Sequence, residues 1–64
     1  MSDVLEQFVM DVLDGAGDWS MVVADITGRT GLRRRVVTAA LGSLVSQGKV
    51  RVREGRYIAI RGVA

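Results

Sequence analysis

Hydrophobic residues recur every three or four positions near the start of the chain, which is the spacing that places side chains on one side of an α-helix. The apolar stripe covers about half of the helix circumference and is wider than the roughly 100° stripe of an ordinary amphipathic helix. Ser2 is the expected N-cap, and the glycines after Asp14 are expected to end the helix. The stripe leaves Met10 outside and consists of Val4, Leu5, Phe8, Val9, Val12 and Leu13.

Two more helices are predicted in the middle of the chain. Ser20 is a candidate N-cap for a second helix over about residues 21–28. Two glycines within residues 27–31 indicate a tight turn, and a third helix is predicted over about residues 32–47. Its buried stripe is predicted to contain Val37, Leu41, Leu44 and Val45, with Arg34, Arg35 and Thr38 on the opposite face.

Alternating apolar and polar residues predict two β-strands near the C-terminus. A two-residue loop, Glu54-Gly55, pairs Arg51 with Ile58 and mixes charged and apolar side chains on one face. A three-residue loop over residues 53–55 places Gly55 at the left-handed position that such loops favour and separates the two kinds of side chain. We therefore predict the three-residue loop, because a shift of one residue buries arginine. The predicted core also includes Phe8, Trp19, Val50, Val52, Ile58 and Ile60.

Charge is divided unevenly along the chain. Six carboxylates and no cation precede Arg29, whereas nine cations and one carboxylate lie from Arg29 onward, for a net charge of +2. The densest cluster, "RRR" at residues 33–35, lies at the predicted start of the third helix, where the helix dipole is already positive. One interpretation is contact with a polyanion, and the other is a pair of solvated faces of opposite sign. Charge alone does not decide between them.

Composition limits the chemistry that is available. The chain has no cysteine and no histidine, so it offers no thiolate or imidazole for metal binding or catalysis. Acidic pairs such as Asp11 and Asp14 are expected on an exposed helix face, so we expect no enzyme activity and no cofactor. No apolar run approaches the roughly 20 residues of a membrane span, and the acidic N-terminus is unlike a secretory signal. We expect a single cytoplasmic domain over residues 1–64, without a small-molecule ligand or membrane association.

Three segments, in this order, resemble the winged helix-turn-helix family of DNA-binding domains. "DITGRTGL" (25–32) is similar to the family's second helix and turn, "VTAALGSLVSQGKV" (37–50) to its third helix, and "REGRYIAI" (53–60) to its wing. One position differs, because the residue after T-G-L is commonly a helix-capping Ser and is Arg33 here. The resemblance implies a small α+β domain with three helices and a C-terminal two-stranded β-hairpin wing.

The resemblance also implies sequence-specific binding of double-stranded DNA, by a minimal transcriptional regulator or a recombination or architectural factor. The family's third helix lies in the major groove, which would place Arg34, Arg35 and Thr38 at base edges. A helix N-terminus attracts phosphate, which would account for the arginine cluster there. The other expected contacts, to the DNA backbone or minor groove, are Arg29, Thr30, Arg33, Lys49, Arg51, Arg53, Arg56 and, stacked behind Arg51, Tyr57.

Two further interpretations concern protein partners. Winged helices also act as protein-docking modules within larger assemblies, and the wide apolar stripe of the first helix favours that alternative, whereas the arginine cluster disfavours it. The same stripe leads us to expect a homodimer through the first helix, with Val4 and Met10 at its edge. A dimer that reads two half-sites binds DNA more selectively than one small module does.

Overall fold

A computed structural model describes residues 3–17 and 19–60 and shows a small α+β domain with three helices and a three-stranded antiparallel sheet. In the sheet, the strand Arg56–Ala59 lies between the strands Met21–Val22 and Val50–Arg53. Within the described residues, no helix is both long enough and apolar enough to cross a membrane. The elements in chain order are α1 (Asp3–Gly15), β1 (Met21–Val22), α2 (Val23–Thr30), α3 (Arg34–Ser46), β2 (Val50–Arg53) and β3 (Arg56–Ala59).

The core lies where the three helices meet the inner face of the sheet. The helical spacing of the sequence is confirmed there, because α1 contributes Val9 and Leu13 and α3 contributes its predicted stripe, of which Val45 is only half-buried. Met10, predicted to lie outside the α1 stripe, instead packs half-buried against this core. The fully or nearly fully buried residues are Val9, Leu13, Met21, Ile26, Val37, Ala40, Leu41, Leu44, Val50 and Ala59.

The second helix begins two residues later than predicted, because Met21 and Val22 pair with β3 as a third strand. Val22, and not Ser20, is the N-cap residue, and it makes no side-chain capping hydrogen bond. The prediction of a two-stranded wing is therefore wrong, because β1 joins the hairpin of β2 and β3 as a third strand. The predicted cap at Ser2 lies outside the described residues.

The predicted register of the hairpin is also wrong. Val52 pairs with Tyr57 and Arg53 with Arg56, which leaves a two-residue loop of Glu54 and Gly55. Both loop residues have positive φ, 52° and 76°, as a type I′ turn requires, and this turn matches the twist of the flanking strands. Turn geometry thus outweighs the burial of Ile58 beside Val50 on which the prediction relied, and the three strand arginines share one face.

The new register changes which strand residues are buried. Val50 and Ala59 face the core, whereas Ile58 is half-buried on the opposite face and Ile60 is exposed. Val52, predicted to be buried, is 42% exposed. Tyr57, predicted to share a face with Arg51, lies on the core side of the sheet and packs against the core.

Two aromatic residues predicted to be in the core are exposed. Trp19 is 79% exposed and Phe8 41% exposed. Trp19 lies in the connection between α1 and β1 and belongs to no helix or strand. Its backbone N–H donates to the carbonyl oxygen of Ala16 at 3.2 Å. Phe8 lies on the part of the wide α1 stripe that extends beyond the buried positions Val9 and Leu13.

Relieving the strained turn residue is expected to stabilise the protein. A non-glycine residue in the left-handed region costs roughly 1–2 kcal/mol, and asparagine tolerates that region better than glutamate. We expect Glu54→Asn to raise the free energy of unfolding by about 0.5–1 kcal/mol in urea titrations. Glu54→Gln, which removes only the charge, is the control and is expected to leave stability almost unchanged. Equal gains from both variants would assign the effect to charge instead of backbone conformation.

Candidate nucleic-acid interface

A tight turn fixes the position of α3 relative to α2. Gly31, at φ 72°, ends α2, and its N–H donates to the carbonyl oxygen of Thr27 at 2.9 Å. The Thr30 hydroxyl donates to the carbonyl oxygen of Ile26 at 2.8 Å and accepts the Leu32 N–H at 3.2 Å. The hydroxyl of Thr30, a predicted DNA contact, is therefore engaged in holding the turn.

The arginine cluster lies at the N-terminus of α3. Arg33 is the N-cap residue, with φ −68° and ψ 146°, and it makes no side-chain capping hydrogen bond. Its carbonyl oxygen accepts the Val37 N–H at 3.0 Å. Arg33, Arg34 and Arg35 are all exposed, so three guanidinium groups surround the positive end of the helix dipole without a carboxylate in the first turn.

The exposed face of α3 continues from these arginines as a smooth surface. Thr38, Ala39, Gly42 and Ser46 are all exposed and all small. A Cβ atom added at Gly42 would meet no heavy atom within 4 Å, so packing within the domain does not require glycine there. Glycine in a helix interior costs roughly 0.5–1 kcal/mol relative to alanine, and this face allows another molecule to approach the helix backbone closely.

A second basic surface covers the outer face of the sheet. Because side chains alternate along a strand, the observed register places Arg51, Arg53 and Arg56 on one face, opposite the core. Ser20, Glu54 and Ile58 join them around a shallow recess of about 340 Å³. The sequence prediction did not place Ser20 or Ile58 at this surface, and β1 (Met21–Val22) offered a single β-branched residue, Val22, as a signal for the third strand.

Within this surface, Arg53 and Arg56 lie directly opposite each other across the hairpin. Like charges at such a position repel and destabilise the strand pair. Among the described residues, no hydrogen bond joins the side chain of either arginine to another residue. The hairpin therefore holds a second cluster of cations, with Glu54 beside it, and the arginine pair opposite each other within it is unfavourable.

The structure separates three predicted contact residues from these two clusters. Tyr57 lies on the inner face of the sheet. Lys49 lines a recess with Asp3 and Glu6, next to the acidic helix α1. Arg29 is exposed in the last turn of α2, where a cation is favoured by the helix dipole, and lines a recess of about 630 Å³ together with Trp19.

Comparisons of the chain with protein-family models, curated proteins and solved structures give no match. Function must therefore be inferred from the placement of the chain's own residues.

Proposed function

We propose that this chain is a winged-helix protein that binds double-stranded DNA. The exposed face of α3 enters the major groove, and the outer face of the hairpin contacts the adjacent backbone or minor groove. The arrangement of three helices and a small antiparallel sheet is compatible with a winged-helix layout. Sequence-specific recognition, by a minimal transcriptional regulator or a recombination or architectural factor, is part of the proposal.

The observation that supports this function most strongly is the unfavourable placement of both arginine clusters. Cations at a helix N-terminus oppose the helix dipole, and an arginine pair opposite each other in a hairpin repels. Each arrangement becomes favourable once phosphate groups lie nearby, because the arginines neutralise the phosphates and the counterions condensed on the DNA are released into solution. Solubility alone gives no reason to place cations at either position.

The geometry supports different roles for the two clusters. Arg34, Arg35 and Thr38 lie at the start of the exposed α3 face, where a bidentate arginine–guanine contact is worth about 1–3 kcal/mol of base discrimination. We assign backbone contact to Arg33 and also to Arg29 of α2, which lies outside the two clusters. The hairpin contributes Arg51, Arg53 and Arg56. The proposed interface leaves out Tyr57 and Lys49, because one packs on the core and the other lies beside carboxylates of α1.

The proposal predicts a steep dependence of binding on salt. We expect a labelled random-sequence duplex, followed by fluorescence anisotropy between 50 and 200 mM salt, to bind with a log–log slope near −4.5 if about five phosphates are contacted. A slope near zero, or no binding at 50 mM salt, would contradict DNA binding. Either result would favour the alternative of a protein-docking module, in which the arginines contact an acidic protein surface.

A further inference from the structure

One side of helix α1 packs against α3, and the opposite side is exposed. One side faces α3, because the Gln47 Nε2 group donates to Glu6 Oε1 at 2.8 Å and Met10 lines a recess together with Leu44. Residues two positions apart on a helix differ by about 200° in direction. Val4 and Phe8, each two positions from Glu6, therefore lie on the side of α1 opposite α3, and they are 75% and 41% exposed.

The same reasoning places this surface on the far side of the domain from the proposed DNA interface. Leu44 points from α3 toward α1, whereas Gly42 and Ser46, two positions away, point in the opposite direction. The two surfaces are thus separated by the stacked helices α1 and α3. The shorter dimensions of the domain, 22 and 20 Å, correspond to about two helix diameters.

The α1 surface is apolar in the middle and acidic at its edge. Val4 and Phe8 line a shallow recess of about 440 Å³ together with Asp3, Gln7 and Asp11. No cation lies on α1, which also holds Glu6 and Asp14. We call Asp3, Val4, Gln7, Phe8 and Asp11 the α1 docking surface.

Charge discriminates among the possible occupants of this surface. DNA is repelled by the carboxylates. A second copy, joined surface to surface, brings its own Asp3 and Asp11 within a Debye length of about 8 Å at physiological salt, where like charges repel. A basic partner turns the same carboxylates into attractive groups.

We propose that the α1 docking surface binds a basic amphipathic helix of a partner protein. Val4 and Phe8 are spaced i and i+4, so they form the kind of ridge that packs into the groove of a second helix. Leucine-like side chains of the partner cover Phe8, and its lysines or arginines lie beside Asp3 and Asp11. The proposal goes beyond DNA binding and does not depend on it, because the two surfaces are on opposite sides of the domain.

The test titrates a labelled synthetic amphipathic helix of leucine and lysine with the full chain. A leucine–glutamate peptide of the same pattern is the acidic control. We expect the basic peptide to bind and the acidic peptide not to bind. Phe8→Ser is expected to weaken binding at least tenfold, whereas Val52→Ser, which alters a similarly exposed side chain (42%) on the hairpin, is expected to leave it unchanged. Asp3→Asn with Asp11→Asn is expected to weaken binding and to reduce its salt dependence.

Three results would overturn the proposal. These are no binding of the basic peptide, equal binding by wild type and Phe8→Ser, and a concentration-dependent dimer in sedimentation that Phe8→Ser abolishes. The last result would identify a second copy as the occupant. Circular dichroism checks that Phe8→Ser is folded. The double variant Asp3→Asn with Asp11→Asn tests the same surface without altering an apolar residue. Titration of Phe8→Ser with duplex DNA separates this proposal from the proposed function, because duplex affinity is expected to be unchanged.

Discussion

Replacing Arg33, Arg34 and Arg35 together by glutamine is expected to lower the affinity for a random-sequence duplex by roughly 100-fold at 150 mM salt. Each cation that neutralises one phosphate contributes about −0.9 to the log–log salt slope, so the loss of three contacts changes the slope by about 2.7. Extrapolated from 1 M salt, this corresponds to about fivefold per contact at 150 mM. Anisotropy titrations of the wild type and the variant at several salt concentrations measure both quantities.

The same variant is expected to be slightly more stable than the wild type. Three cations are removed from the positive end of the α3 dipole, and each such charge is worth a few tenths of a kcal/mol. Urea unfolding should therefore shift to higher concentration while DNA affinity falls. A loss of both stability and affinity would indicate misfolding, and a gain in stability without loss of affinity would exclude this helix end from the interface.

Lysine at the same three positions is the matched control. Lysine keeps the positive charge but lacks the planar fork that binds guanine in bidentate fashion. The lysine variant is expected to retain most of its affinity for random-sequence DNA. On a selected target sequence it is expected to lose discrimination, and this difference separates phosphate contact from base recognition.

The helical part of the fold could be predicted from the sequence because its side-chain spacing is long and regular. The buried residues of α1 and α3 recur with the helical period, and Gly31 and Gly48 mark turns with positive φ close to the predicted helix ends. The exposure of Arg34, Arg35 and Thr38 follows from the same period. A long periodic segment repeats often enough to show which face of the helix is buried. The opposite, exposed face of α3 is the one proposed to bind DNA.

The sheet could not be predicted as reliably, because its strands are short. β1 has two residues and its partner, β3, lies more than thirty positions further along the chain, so no local pattern reveals the pairing. In the hairpin, two rules conflicted. Keeping Ile58 and Ile60 on the buried face with Val50 and Val52 favoured the three-residue loop, and the type I′ turn at Glu54-Gly55 favoured the two-residue loop.

That error has a functional consequence. With the three-residue loop, Arg51 would share a face with Tyr57. With the observed register, Arg51, Arg53 and Arg56 share the outer face, and Tyr57 lies on the inner one. The observed turn therefore assembles three arginines on one surface, which gives a more concentrated positive charge than the three-residue loop would give.

Reversing one charge of the hairpin is expected to move stability and DNA affinity in opposite directions. Arg53→Glu places a carboxylate opposite Arg56, so a repulsive cross-strand pair becomes attractive, and we expect the free energy of unfolding to rise by a few tenths of a kcal/mol. For DNA, one phosphate contact is lost and a repulsive charge is added. If each change is equivalent to one contact, the affinity falls roughly 30-fold at 150 mM salt.

Arg53→Gln is the control that separates the loss of one phosphate contact from the addition of a negative charge. It removes the repulsion with Arg56 without adding a negative charge, so it is expected to lower duplex affinity about fivefold, as for one lost contact. Affinity that is unchanged in both variants would show that the hairpin does not reach the DNA, and would confine the interface to α3. The expected result is a gain in stability for Arg53→Glu together with a graded loss of affinity in the two variants. This result would indicate that Arg53 is retained for DNA binding, because glutamate at position 53 would make the hairpin more stable.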